Sequence, residues 1–399
     1  MDGQHVAVVG AGIGGLASAV LLARAGATVT LLERAPAITA VGAGILLQPN
    51  GLAVLGGLGL DGPLRTAGHR LDGATIRTAG GRTVTAIGVP AYGEGLDHML
   101  AVRRSLLHEV LLDAVRGEPR IGCLLGVAVT RADPDGTLTT ASGERIAADL
   151  VVGCDGVRSA VRATGNFEAQ VRDTGYAYLR GLVAADRPVP DGEYWTPIGL
   201  FGGAPVDATT HYFYASVASP EVRAAVAARD LDAMRRAWAA VLPESATAFD
   251  GVVGFDDLLV NDVVRVDCAR WQSGRRVLLG DAAHAMAPTA GQGANSALVD
   301  AAVLVAELTS GRPLPDALAR YTERRLPTAR RVQDRADQLT RLAHLRSPVA
   351  RGLRDAALSV LGGRRSADRN SRVLQQEEPA ALRSTVAGLV PHRQGEARG

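Results

Sequence analysis

Three runs in this chain combine glycine or aspartate with strand ends in a way that suits a long, polar ligand. The first, Gly10-Ala11-Gly12-Ile13-Gly14-Gly15, lies between the apolar run Val6 to Val9 and the helically spaced apolar residues from Ala17 to Ala25. A glycine turn from strand to helix lets a pyrophosphate reach bare backbone. Gly10 permits the tight turn, Gly12 the approach and Gly15 the close packing of helix on strand, while the helix N-terminus favours the phosphate charge. Glu33 ends the next strand, where a carboxylate accepts hydrogen bonds from a ribose diol. Strand, glycine turn, helix and acid together mark a dinucleotide site, without choosing between NAD and FAD.

The second run, "DLVVGCDGVRSAVR", is a buried strand ending in Cys154-Asp155-Gly156, followed by Arg158, Ser159 and Arg162. The third, "LLGDAAHAMAPTAGQGANSALVDA", brings Gly280-Asp281, His284 and Pro288, and then Gly291, Gly293, Ala294 and Asn295 at a helix start. Such stripping of bulk suits a flat, polar group lying against the backbone. Isolated Asp-Gly and Gly-Asp pairs are ordinary turns. Their value here is that strand C-termini in open α/β sheets are where extended ligands lie.

Acid–base candidates are fewer. "HYFYASV" reads as a strand, with His211 and Tyr214 assigned to one face and Tyr212 to the other. Tyr176 and Arg180 in "TGYAYLRG" are further candidates, Arg180 for a carboxylate or carbonyl. His284 reads as a support for its turn, and Gln48 in "GILLQPN" as a neutral residue near the ligand. The chain has no Lys, which excludes Schiff-base or chloramine chemistry on an amine of its own.

These residues need a scaffold, and the apolar pattern outlines one. Residues 1–171 read as the first part of a dinucleotide-binding α/β domain, with an antiparallel segment at 71–100. Residues 172–262 hold most of the tyrosines and read as a β-rich module. Residues 263–312 return to the α/β frame, and 313–399 are helical with a mobile tail. No stretch of about 18 apolar residues suggests a membrane span. Acids and bases nearly balance, so no nucleic-acid partner is expected. Cys123, Cys154 and Cys268 fit neither a disulfide framework nor a metal site and suggest a reducing, cytoplasmic setting.

The order of the three runs resembles the single-component FAD-dependent monooxygenases, the aromatic hydroxylases that include salicylate, urate and 6-hydroxynicotinate hydroxylases. "GAGILLQPNGLAVLGGLGL" and the Arg in "VRRSLLHEVL" add to the likeness, which spans roughly residues 4 to 330. The resemblance implies an α/β fold: a Rossmann-like FAD-binding domain, an inserted β-sheet-based substrate domain and a helical C-terminal region. It implies FAD held by Gly10, Gly12, Gly14, Gly15, Glu33 and Arg34 at the ADP half. Arg104 is expected near the pyrophosphate, Asp155 in a motif serving FAD and the passing nicotinamide, and Asp281 on the ribityl hydroxyls. Gly291, Gly293, Ala294 and Asn295 would set helix-start amides beside the flavin ring, with Pro288 shaping the wall.

The implied reaction uses NADH or NADPH and O2, passes through a hydroperoxide on the flavin ring and hydroxylates a small aromatic or polycyclic molecule; a homodimer is plausible. An alkene epoxidase stays open, as does a reductase or dehydrogenase that does not activate oxygen. A halogenase is disfavoured by the missing Lys and by the single Trp of "EYWTPIG". A non-catalytic flavin-binding protein is the remaining alternative.

Overall fold

The computed structural model describes residues 1–38, 43–187, 189–361 and 371–389. The first glycine turn joins strand His5–Val9 to helix Ile13–Arg24, which leads to strand Thr28–Glu33. Val6, Ala7 and Val8 are fully buried. A strand covered on both faces needs such an unbroken apolar run.

His5–Val9 pairs in parallel with Thr28–Glu33 on one side and Leu150–Gly153 on the other. The six-stranded sheet continues to Ile121–Leu125 at one edge, and to Arg276–Leu278 and then Gln272–Ser273 at the other. Its register sets Val9 beside Gly153 and Gly153 beside Leu278. Three loops far apart in sequence therefore leave the sheet at one edge, each carrying one of the three motifs. Helix Gly293–Leu308 packs on helix Ile13–Arg24, closing the same end.

A second sheet has seven strands, in the order Leu259–Cys268, Ala169–Ala184, Thr210–Ser216, Gly199–Pro205, Gly192–Thr196, Gly73–Thr78 and Thr83–Gly88. This corrects the sequence outline in two places. Strands 73–78 and 83–88 were assigned to the dinucleotide-binding part but pair into the β-rich sheet. The outermost strand also runs through the expected boundary at 262. Alternation identifies a strand but not its partner, so a long-range pairing is invisible to it. Strand Met99–Arg103 goes elsewhere, pairing with Gly44–Leu47 and His69–Leu71.

The two faces of the large sheet differ. Leu179, Val183, Phe201, Phe213 and Ala215 pack against Val222, Met234, Trp238 and Phe249 of three short helices between 220 and 250. The opposite face carries Tyr178, Trp195 and Leu200 and packs against Ala287, Ala290, Ala336 and Ala343. Helix Leu314–Ala343 runs along that junction. Arg265 ties it to the sheet, donating to Asp267, Asp334 and Asp337 at 2.9, 2.8 and 2.7 Å. Helices Pro348–Leu361 and Pro379–Leu389 follow. The tail from 390 on, expected to be mobile, lies outside the described residues. No helix among them is long and apolar enough to cross a membrane.

Candidate active site

The first glycine turn is shaped by backbone approaching backbone. Gly10 has φ +101°, and a Cβ there would stand 2.6 Å from the Cys154 carbonyl oxygen. A Cβ on Gly15 would lie 1.9 Å from the carbonyl oxygen of Gly10. Gly12 differs: nothing lies within 4 Å of where its Cβ would be, so the outer side of the turn is open to a ligand. Gly14 is a correction to the expected cofactor set. Its free side meets Leu279 and the Cβ of Ala297 at 2.9 and 3.1 Å, which makes it a packing glycine against helix Gly293–Leu308.

Glu33 closes over the same turn, accepting from the Ala11 amide at 2.8 Å and the Ala35 amide at 3.0 Å. A carboxylate has about four acceptor positions, so capacity remains for a diol. Arg34 lies exposed beside it. Asp155 accepts from the Ala160 and Val161 amides at 2.7 and 3.2 Å and so anchors the short helix Ala160–Ala163; burial pushes its carboxyl up. Arg162 donates to the carbonyls of Ala282, at 2.8 Å, and Val157, bolting the second motif loop to the third.

Asp281 opens helix Asp281–His284 and is exposed, close enough to Arg104 to bear on its charge. Burial lowers the Arg104 pKa, Asp281 opposes that shift, and Arg180 reinforces it. An open backbone turn, a carboxylate for a diol, an arginine and a second carboxylate form a donor and acceptor set that fits FAD.

A family model described as "FAD binding domain" matches residues 4–336. The chain is 34% identical over 384 residues to an aurachin C monooxygenase/isomerase of Stigmatella aurantiaca, covering 94% of this chain and 98% of that one. It is 36% identical over 370 residues to a 3-amino-4-hydroxybenzoate 2-monooxygenase of Streptomyces cremeus, covering 86% and 88%. The crystal structure of Klebsiella pneumoniae HpxO complexed with FAD and uric acid superposes with a TM-score of 0.81 at 27% identity, covering 94% of this chain and 98% of that one. The chain belongs to the FAD-dependent monooxygenases. It is an oxidoreductase, with FAD as its cofactor.

In this monooxygenase the small-residue loop after Pro288 is held by amides. Asn295 donates to the carbonyls of Leu46 and Gly291 at 2.9 and 2.8 Å and accepts from the Gln48 amide at 3.0 Å. The Asn295 side chain therefore braces the loop. The backbone N–H groups of Gly293, Ala294 and Asn295, which precede the first intrahelical donor, Ser296, are left to face a ligand. Gln48 is likewise engaged, donating to the Ala290 carbonyl at 3.0 Å and accepting from Gln292 at 2.6 Å, so it braces the loop as well.

His284 supports the turn. It is buried, its Nε2 lies 2.5 Å from Asp300, and its ring stacks on Trp271 at 4.9 Å. Asp300 also accepts from the Gly280 amide at 3.0 Å and from Arg325 at 2.7 Å. Burial pushes the Asp300 carboxyl up, but the His284 and Arg325 charges outweigh it and hold the group at about 2.

The other wall is the tyrosine face of the seven-stranded sheet. Register sets Arg180 opposite Tyr214, Leu182 opposite Tyr212, Tyr214 opposite Gly202 and Gly202 opposite Glu193. Tyr212 and Tyr214 thus share a face, with ring centroids 5.6 Å apart. The expected pairing of His211 with Tyr214 is wrong, because side chains alternate with a period of two and these residues are three apart. His211 lies on the Phe213 side, its Nδ1 3.4 Å from the Arg187 carbonyl, and takes no part in this wall.

Three residues went unnoticed in the sequence. Glu193 accepts from Trp195 Nε1 at 2.5 Å and from the Tyr214 hydroxyl at 2.9 Å. Burial pushes Glu193 up; burial and then the Glu193 charge push Tyr214 up. The alternation of Glu193 with Trp195 in "GEYW" was the available signal. Tyr178, in phase with Arg180, is buried beside it. His344 follows the long helix with its ring 4.9 Å from Tyr176, and nothing in its sequence context marks it. Its Nδ1 donates to the Thr340 carbonyl at 2.7 Å, which leaves Nε2 a buried acceptor without a partner. Burial lowers its pKa.

Proposed function

We propose that this monooxygenase uses NADH or NADPH and O2 to hydroxylate a small aromatic or polycyclic molecule lying between the loop at Pro288–Gly291 and the Arg180–Tyr212–Tyr214 wall. The observation that carries this reading is the opposition of the two surfaces. Ala287 and Ala290, on the loop side, pack in one cluster with Tyr178, Trp195 and Tyr214 of the sheet. FAD, reduced by the nicotinamide, supplies the oxygen-activating chemistry. The chain's residues position the partners and exclude water.

In this reading Gly10, Gly12, Glu33 and Arg34 receive the ADP half, Arg104 the pyrophosphate and Asp281 the ribityl hydroxyls. The backbone N–H groups at 293–295 face the polar ring edge, where a helix N-terminus favours negative charge. Pro288 forms the wall beside the reacting position. Tyr214 is the candidate for handling the substrate's proton. Its hydroxyl already donates to Glu193, so its oxygen is free to accept from a substrate donor. Arg180 offers a fixed positive charge on the same face. The free thiols of Cys123, Cys154 and Cys268 are consistent with a reducing, cytoplasmic compartment.

The test is an absorbance spectrum of the purified protein with identification of acid-released flavin, followed by NAD(P)H and O2 consumption with a panel of ring compounds. Substrate-stimulated consumption of both, with one oxygen atom gained by the product, is expected. FAD-loaded protein that oxidises NAD(P)H with no oxygenated product for any ring compound would overturn the reading in favour of a reductase.

A further inference from the structure

The substrate wall is electrically lopsided, and this asymmetry constrains what can lie there. Tyr212 is flanked by the positive charges of Arg104 and Arg180, both of which pull its hydroxyl pKa down against the upward push of burial. Tyr214, two residues along the same strand, faces the Glu193 carboxylate instead. Arg180 and Glu193 lie on strands separated by three steps of the sheet, which at the usual spacing is about 14 Å. The ring of Tyr214 lies across Gly202 to reach Glu193, so a flat molecule spanning the two ends would lie over that ring, with a hydrogen bond at each end. Glu193, Tyr212 and Tyr214 are enclosed by protein on nearly every side yet keep some solvent contact, as residues lining a deep cleft do. Both Glu193 oxygens hold one partner each, so acceptor capacity remains.

We infer that Glu193 is a specificity residue, and that the pocket takes a ring carrying an anionic or carbonyl oxygen toward Arg180 and a hydrogen-bond donor, N–H or O–H, toward Glu193 and Tyr214. This rests on the proposed placement of the substrate against the tyrosine wall. Charge explains the selectivity: a methylated nitrogen or oxygen at the far end would leave a desolvated carboxylate facing an apolar group, which is strongly unfavourable.

The test uses FAD-loaded protein and reads ligand binding from the perturbation of flavin absorbance. Two matched pairs serve as probes: 4-aminobenzoate against 4-(dimethylamino)benzoate, and 4-quinolone against 1-methyl-4-quinolone. In each pair methylation removes the donor and leaves the acceptor end intact. The wild type should favour the donor-bearing member by about tenfold or more, the range for a hydrogen bond to a charged group. Glu193→Gln should shrink that ratio to about threefold or less, with the flavin content unchanged. Arg180→Ala should weaken both members of a pair alike.

A second measurement needs no variant. Glu193 is faced by Trp195 from its own strand, by Tyr214 from two strands across and by Tyr178 from three; Arg354, paired with Asp355, lies 4.8 Å over the Trp195 ring. The tyrosines are pushed up by burial and so stay neutral across neutral pH. Since burial raises Glu193, the donor preference should fade as pH drops through that raised value, before free carboxylates titrate. A ratio unchanged by Glu193→Gln and by pH overturns the inference, and so does wild-type binding of neither donor-bearing probe. If other ring compounds still drive O2-coupled turnover, the monooxygenase reading survives either result.

Discussion

The two walls of the proposed active site are built from different materials. On the cofactor side the surface is backbone, with glycine turns, helix-start amides and a few carboxylates. On the substrate side it is side chain, with tyrosines, an arginine and a buried glutamate projecting from a sheet. Where backbone packs on backbone no enlargement is tolerated, whereas a side-chain surface can change composition while its sheet stays folded. Substitutions at the packed glycines of the first wall should therefore cost fold and cofactor together, and those on the second should alter turnover with FAD in place.

The largest effect should come from Gly15→Val. Its Cβ would lie 1.9 Å from the Gly10 carbonyl oxygen, and the strand–helix junction must open to admit it. That exceeds the ~1–3 kcal/mol of ordinary overpacking. Little folded protein and no bound FAD are expected, measured as flavin per chain and by thermal melting. Gly12→Ala is the contrast, since its side of the turn is open: the fold should survive while FAD affinity falls. Equal flavin content in both variants would break the distinction between a packing glycine and a ligand-facing one.

Next is the buried cluster beneath the third motif. Asp300 and Arg325 are fully buried, and Asp300 also holds the Gly280 amide just before Asp281. Arg325→Met leaves a buried carboxylate with one cationic partner fewer, and breaking such a pair costs about 3–5 kcal/mol. The sign of the pH effect follows from the depressed Asp300 pKa of about 2. Its contribution is complete above the unfolded carboxylate value near ~4 and is lost as pH falls toward the folded value. Urea titrations at pH 7 and pH 3 should show the wild type approaching the variant at the lower pH. A constant difference between them would remove Asp300 ionisation from the account.

The same contrast explains what could be read from the sequence. The first wall was legible because its signals are local: Gly10 to Gly15, Glu33 and Gly280-Asp281 each announce themselves within a few residues. What escaped was the direction a side chain takes once packed: the free side of Gly14 meets Leu279 and Ala297, and the Asn295 side chain braces the loop, leaving only its backbone amide for the ring. The second wall depends on pairing between distant strands. Glu193 meets Tyr214 only because Gly202 lies between them in register. Strands 73–78 and 83–88 join the same sheet from a part of the chain assigned elsewhere. No spacing rule carries that information.

Tyr214→Phe probes the second wall directly. Losing the hydroxyl strips Glu193 of one of its two partners, a penalty of about 1–3 kcal/mol for a buried polar group. FAD content should stay at the wild-type level. Hydroxylation of phenolic or N–H substrates should fall by about a hundredfold or more, the contribution of a positioned proton acceptor, while NAD(P)H oxidation continues. Product formed per NAD(P)H consumed separates the two. A proportional fall in both, with unchanged coupling, would mean that Tyr214 shapes the sheet and handles no proton.

His211→Ala should do least, and it sharpens the comparison because His211 is a neighbour of Tyr212 on the same strand. Chain proximity is the same for both; only the face differs. His211 looks toward the helix-covered side, with a long 3.4 Å contact to the Arg187 carbonyl. A partly exposed residue without tight packing or a buried partner usually shifts stability by less than about 0.5 kcal/mol. Turnover, coupling and flavin content should all stay within about twofold of wild type, a change of roughly 0.4 kcal/mol at most in any barrier. The measurement is steady-state product formation across pH 6 to 9. If His211→Ala instead lowered kcat and removed a pH-dependent limb that Tyr214→Phe retained, the proton would leave by the helix-covered face, and the division of the sheet into a reacting side and a supporting side would fail.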